Sequence, residues 1–473
     1  MSGLFGSLSN GVKALTAHSR SIETSGRNLA NVANPDYARQ RILYGDRGTV
    51  QTELGAQSLG IEAVAVQQLR DVLLDRQVVR EKALLSSYEA EQSAYQKAQA
   101  GLGQSIDRAG ETGSTGFAGN GSGIAESVAE FFNSFQSLAA RPTDPGERQT
   151  LLQKAGVLTD RIRITDTRLD QLQSDLTNQV NVDLDEANRL LGSIATLNAQ
   201  IGRFEINMPG SAVDLRDQRQ ALMEELATKI SVGSEEDPAN PGQIIVFARD
   251  ASNAKVNLVE QASVTGPITL SGSTLSGGSP SVALAPTGGS MHGALTARDG
   301  GVQTLRDNLN ALTRQLVVSV NDAYNPTGLT GDFFTAANIT AADISVDASV
   351  TATNIKASDG GPAGDNTLAQ AVANLTNASF SVSGGDYIDG TFGQHFARSV
   401  SNLGQALSSV NLQVQDQSNI EQLVRTQRDS VSGVSLDEEM ADLMKYQRAF
   451  QASSRVVQVI NELLENVVNL GRG

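Results

Sequence analysis

The sequence predicts a mainly α-helical protein, with long terminal coiled-coil helices, a helical bundle and a small inserted β domain. Three observations carry that reading. Apolar residues recur every seventh position at both chain ends, a second long heptad stripe runs through the middle, and one glycine-, serine- and threonine-rich stretch breaks the helical pattern.

The terminal stretch from Ser435 to Leu470 carries Leu436, Leu443, Phe450, Val457 and Leu464, with Tyr446, Ile460 and Val467 filling the places three residues on. Ser435 and Glu438 have capping-box spacing, and Asp437, Glu438 and Glu439 put negative charge where a helix N-terminus favours it. A helix of about 36 residues would run roughly 54 Å, longer than one small domain needs. The N-terminus has its own stripe at Leu8, Leu15, Ile22 and Leu29. Beside it lie Val12, Ser19, Gly26 and Ala33, mostly small side chains that would let another helix come close. Asn34-Pro35 predicts the end of that helix, because proline disfavours the α conformation of the residue before it.

A polar stretch with Gly45, Gly48, Gly55 and Gly60 reads as extended or a short hairpin. Helix is expected again from about Leu69 to Gln99, then a loop at Gly110 to Gly123. A helix follows that presents Phe131, Phe132, Phe135 and Leu138 on one face and closes at Arg141-Pro142-Thr143-Asp144-Pro145. The long central stripe holds Ile162, Leu169, Leu176, Asp183, Leu190, Leu197 and Phe204, with Ala187, Ile194 and Ile201 accompanying it. Asp183 is its one acidic interruption, suited to a kink, a basic partner or exposure. Asp214 to Ile230 is amphipathic, whereas Ile244 to Phe247 and Val256 to Val259 read as strands. Helix is expected to return at Val302 with Leu305, Leu309, Leu312, Leu316 and Val320. A last helix begins near Phe396 and runs to a joint at Ser432-Gly433. The domain division expected from this order is 1–34 with 435–473 for assembly, 35–231 with 293–327 and 391–434 for the bundle, 232–292 for the β insertion, and 328–390 for a mixed insertion.

Composition narrows the function. The 473 residues carry a net charge of −16, which argues against nucleic acid or an anionic membrane as the main partner. Cysteine is absent, so disulfides, thiolate metal sites and thiol nucleophiles are ruled out together. The N-terminus lacks a basic start followed by an apolar block, and no long uninterrupted apolar run occurs, so neither a cleaved signal peptide nor membrane insertion is expected. The three histidines, His18, His292 and His395, are far apart and outside any metal-ligand spacing. No nucleophile elbow, Walker loop or dinucleotide fingerprint is present. The chain therefore reads as a non-enzyme without a cofactor. A narrow apolar seam buries too little to hold a lone helix against backbone entropy of about 1–2 kcal/mol per residue. The two ends are accordingly expected to order by pairing and by packing on neighbouring copies.

Both ends also carry a signature. Asn28-Leu29-Ala30-Asn31-Val32-Ala33-Asn34-Pro35-Asp36-Tyr37 resembles the N-terminal motif of bacterial flagellar axial proteins, with Asn28, Asn31, Asn34, Pro35 and Tyr37 as its marks. Ser432 to Glu439, followed by Leu443 to Ser453, resembles the C-terminal segment of the same group. Three internal stretches are similar to the hook-associated protein 1 family, the FlgK type: Phe131 to Arg148, Asp214 to Arg219 with Glu225-Leu226, and Gly293 to Asp299. The resemblance implies a structural subunit of the hook–filament junction, exported without cleavage through the flagellar type III apparatus and polymerised through its terminal helices. It implies extracellular placement in the flagellum, with other copies, hook protein, a second hook-associated junction protein and an export chaperone as partners. Leu443, Phe450 and Val457 are the candidate chaperone contacts by analogy with groove-binding helices. Other readings are a different flagellar axial subunit, an axial scaffold carrying an inserted enzymatic domain, or an unrelated coiled-coil adaptor.

Overall fold

The computed structural model describes residues 2–46, 49–52, 55–58, 61–102, 123–328, 331–362 and 364–470. In chain order the elements are α1 (Ser2–Ala30), β1 (Gln40–Asp46), β2 (Thr49–Thr52), β3 (Gly55–Ser58), β4 (Ile61–Gln68), α2 (Val72–Gly101), α3 (Ile124–Ala140), α4 (Pro145–Glu205) and α5 (Val213–Lys229). Seven short strands follow: β5 (Gly233–Glu236), β6 (Ile244–Arg249), β7 (Lys255–Glu260), β8 (Ser263–Val264), β9 (Thr269–Ser271), β10 (Thr274–Gly277) and β11 (Val282–Ala283). The chain then returns to helix with α6 (Ser290–Thr296), a π-helical segment (Ala297–Val302), α7 (Gln303–Tyr324), α8 (Thr367–Asn374), α9 (Phe392–Ser432) and α10 (Leu436–Leu470). The fold is the helical frame with small antiparallel sheets that the periodicities predict. The loop expected at Gly110 to Gly123 lies outside the described residues except for Gly123.

Two compact units divide the chain, one made of Met1–Ser86, Leu184–Gly289 and Asp416–Gly473, the other of Ser87–Asp183 and Ser290–Gln415. The first holds the sheets. The polar stretch after α1 forms two antiparallel pairs, β1 with β4 and β2 with β3. β5 to β8 form an antiparallel sheet in sequential order, and β11, β10 and β9 form a second. Two α4 asparagines fasten this region. Asn198 donates to the Ile244 and Gln261 carbonyls at 2.8 and 2.9 Å, and Asn188 exchanges two hydrogen bonds with the Ile268 backbone at 2.8 and 2.9 Å. Buried backbone groups need such partners, and a helix side chain supplies them where no strand continues.

The second unit is organised on an aromatic core. Phe131 of α3 lies 5.2–5.7 Å, centroid to centroid, from Phe132, Phe135, Phe333 and Phe334. Phe333 also meets Tyr324 edge to face, and Phe132 stacks on Phe392. Asn321 holds Phe333 and Phe334 in place: its Oδ1 accepts from both of their N–H groups and its Nδ2 donates to the Phe334 carbonyl at 2.9 Å. The mixed stretch 328–390 thus supplies part of this core, and α8 packs on α3. Asp183 is buried and accepts a 2.6 Å bond from the Ser290 hydroxyl at the start of α6. The position is not exposed: the carboxylate sits where a helix N-terminus attracts negative charge.

Helix resumes at Ser290 rather than Val302, and two glycines in the segment before α7 allow close approach to α2. A Cβ on Gly293 would strike the Ser87 backbone, and one on Gly301 would strike the Tyr95 ring. His292, bonded to the Ser87 hydroxyl at 2.9 Å, and His395 are both pulled below the ordinary value of 6.5, chiefly by burial. The unfolded chain therefore binds protons that the folded unit excludes, and stability falls as the pH drops below 6.5. Amide exchange in α6 and the first half of α9 is expected to accelerate on that descent. His292→Gln should flatten the response, and a flat profile in the parent chain would contradict it.

Candidate assembly interface

α1 and α10 lie antiparallel and pack along each other within the first unit. Leu8, Leu15, Ile22 and Leu29 are half-buried, as are Leu443, Val457 and Leu464, whereas Leu436 and Phe450 are 52% and 38% exposed. The most deeply covered positions are others: Ala17, Ser21, Thr24, Ser25 and Asn28 on α1, and Glu439 and Ile460 on α10. Small side chains do bring the helices close, but at Gly11, where an added Cβ would come within 2.7 Å of Val457 Cγ2. Val12, Ser19 and Ala33 are exposed. The seam is also partly polar. A cavity of about 240 Å³ between α1, β1 and α10 is lined by Ser21, Thr24, Gln40, Glu439 and Tyr446 among others.

The N-terminal signature is a folded turn. α1 stops at Ala30, four residues before Asn34, because Asn31 turns back to the Arg27 carbonyl at 2.9 Å and Asn34 Oδ1 accepts from the Asp36 N–H at 3.1 Å. Asn28, only 1% exposed, is the centre. Its Nδ2 donates to the Gln40 carbonyl at 2.8 Å, while its Oδ1 accepts from the Gln40 N–H at 3.0 Å and the Tyr37 hydroxyl at 2.8 Å. Burial, followed by the nearby Asp214 and Asp217 charges, pushes the Tyr37 hydroxyl well up and keeps it a donor. Asn34 and Pro35 are exposed, Asn31 and Tyr37 half-buried.

Arg39 clasps this turn to the start of α10. It bonds Glu438 at 2.5 Å and Glu439 at 2.7 Å and approaches Asp442 at 3.6 Å, while its backbone N–H donates to the Ser432 carbonyl at 2.8 Å. Glu438 therefore serves Arg39 in place of the capping-box role its spacing suggested, and the Ser435 carbonyl accepts from the Glu439 N–H at 3.0 Å. The Asp214 to Arg219 segment completes the anchor. Asp214 accepts from Gln40 at 2.8 Å, and Asp217 takes both Arg70, at 2.6 Å, and the Ala38 N–H. Burial pushes the Asp217 and Asp75 carboxyls above the ordinary carboxylate range, against the pull of Arg70 between them. Arg219, buried and bonded to Asn198 at 2.8 Å, is drawn down to about 10 by desolvation. Sequence reasoning missed Arg39 and Arg70. The one signal was an arginine two residues beyond the signature tyrosine, opposite an acidic helix start.

α10 keeps a second apolar stripe uncovered: Val456, Val459, Leu463, Val467 and Leu470, each between 40% and 82% exposed, with Met440 and Met444 nearer its start. No described helix is long and apolar enough to cross a membrane, and no group of three or more His, Cys, Asp or Glu among the described residues is placed to hold a metal ion.

Residues 114–334 match the family described as "Flagellar hook-associated protein FlgK helical domain", and residues 425–470 match "Flagellar basal body rod FlgEFG protein C-terminal". The chain is thus similar to the FlgK type of flagellar hook-associated protein in its helical domain. Among FlgK-family relatives, flagellar hook-associated protein 1 of Bacillus subtilis is 23% identical over 527 residues, covering 99% of both chains. That of Escherichia coli is 21% identical over 561 residues, covering 98% of this chain and 99% of its own. The solved structure of the flagellar hook junction protein FlgK from Burkholderia pseudomallei superimposes with a TM-score of 0.62 at 14% identity, covering 76% of this chain and all of that one. These relatives are structural flagellar proteins, and none bears an enzyme's name.

Proposed function

We propose that the chain is a structural subunit of the hook–filament junction that polymerises through α1 and α10, performs no catalysis, and works outside the cell after export without a cleaved signal peptide. One observation carries the reading: the uncovered stripe of Val456, Val459, Leu463, Val467 and Leu470 beside a seam already used for α1. Contiguous exposed apolar surface on a polar rod marks a protein contact, and repeated copies of a rod meet such a requirement by packing on one another. Segments 1–34 and 435–473 form the assembly domain in this proposal. Leu8, Leu15, Ile22 and Leu29 pair with Leu443, Val457 and Leu464 inside one copy. Leu436 and Phe450, being exposed, are left for neighbours. Hook protein and the second junction protein are the axial neighbours. An export chaperone would take Leu443, Phe450 and Val457 before assembly, in competition with α1, which already half-covers the first and last of these.

The test is addition of the purified chain to isolated hooks. Val459→Glu with Leu463→Glu, on the uncovered stripe, is expected to leave the helix pair intact by circular dichroism and to abolish capping, since each buried apolar side chain contributes about 1.5–3 kcal/mol. Capping by this variant at the level of the parent chain would defeat the reading.

A further inference from the structure

α10 carries two uncovered apolar sets, and they are not on the same side. Leu436, Met440 and Met444 form a lower set near its start, and Val459, Leu463 and Val467 an upper set near its end, each residue between 40% and 54% exposed. Leu443, Tyr446, Val457, Ile460 and Leu464 face α1 and occupy the a and d positions of the heptad. On that heptad Met440 and Met444 fall at e and b, whereas Val459 and Leu463 fall at c and g. These are opposite flanks of the seam. Leu436 and Val467 hold seam positions but lie beyond the reach of α1. Gly11 against Val457 fixes the antiparallel register, which sets Ala30, the last residue of α1, level with Glu438, and Ser2, the first, level with Asn466.

The two sets share one spacing. Successive members stand four residues apart in each, and every member of the upper set lies 23 residues beyond its counterpart in the lower one. That interval is about 35 Å of helix. Facing away from each other at different heights, the sets cannot meet within one copy. Packing like on like, lower on lower or upper on upper, would leave the other set of both copies bare. Lower on upper leaves none bare once the contact repeats.

We propose that the lower set of one copy packs on the upper set of a parallel neighbour displaced by about 35 Å, so that Leu436 meets Val459, Met440 meets Leu463 and Met444 meets Val467. The inference rests on the self-assembly reading and assigns to the uncovered stripe its partner face and its register. Unbranched, flexible methionines fill the gaps between the branched side chains opposite. Each copy uses its lower set on one neighbour and its upper set on another. A head-to-tail contact of this kind closes into a ring or continues as a helix.

Variants of the full chain test the pairing. Met440→Glu with Met444→Glu spoils the lower set and Val459→Glu with Leu463→Glu the upper, all at exposed positions, so circular dichroism should match the parent chain. By sedimentation, each variant alone is expected to associate at least about a hundredfold more weakly than the parent. Mixed, the two should form one-to-one dimers and nothing longer, because each keeps the set that the other lacks. The chain has no cysteine, so introduced thiols report neighbours directly. Leu436→Cys with Val459→Cys should yield a ladder of linked oligomers with a short bifunctional thiol reagent, and Leu436→Cys with Val467→Cys should not. The reverse pattern means antiparallel rods and overturns the inference. So does normal assembly of the lower-set variant, or a mixture that stays monomeric, while the assembly reading survives in a parent chain that still associates. A parent chain that never associates defeats both.

Discussion

Phe131→Ala is expected to destabilise the second unit by about 3–5 kcal/mol, the range for removing a buried aromatic ring from a core that cannot close over the gap. Phe131 is wholly buried and touches four other phenylalanine rings drawn from α3 and from the segment after α7. Those two regions are nearly two hundred residues apart in sequence, so the ring closes a long loop as well as filling a volume. Loss of the edge-to-face contacts, worth about 0.5–1.5 kcal/mol per pair, adds to the lost burial. Hydrogen exchange in α3 and α7 should report the change, with Phe131→Leu milder. A loss below about 1 kcal/mol for the alanine variant would mean that the surrounding rings repack freely, contrary to close packing.

Asn28→Ala should have the second largest effect, about 2–3 kcal/mol, because three hydrogen bonds vanish together and leave the Gln40 N–H and carbonyl buried without partners. In the last turn of α1 that loss corresponds to roughly 30- to 150-fold faster amide exchange. Asn34→Ala removes only one exposed turn bond and should change little. Equal effects at the two asparagines would show that the signature acts through its surface rather than through the buried turn.

The periodic parts of the fold were legible from residue order. The stripe from Leu305 to Val320, the Phe131 face and the terminal heptads all became helices, with the expected faces covered or half-covered except at Leu436, Phe450 and Val467 of α10. An apolar repeat announces itself because every turn of a helix contributes to it. That Asp183 is covered and not exposed was not legible, since its partner, Ser290, is 107 residues away and a single acid within an apolar stripe has no period. The capping-box spacing at Ser435 was real, but Arg39 competes for the same carboxylate from 399 residues away. In the small-residue seam Val12 is exposed, and it is the neighbouring Gly11 that faces Val457.

By itself the sequence determined that both ends are amphipathic helices, that a β region interrupts a helical frame, and which family signature closes the first helix. These follow from local preference and repeat spacing, which each segment expresses in its own residues. Only the tertiary structure decided that Arg39 holds α10, that Asn188 and Asn198 fasten the strands, and that a stripe beside the α1 seam is left uncovered. Hydrogen bonds and ion pairs between remote residues depend on distances that folding alone creates, and a residue list carries no record of them.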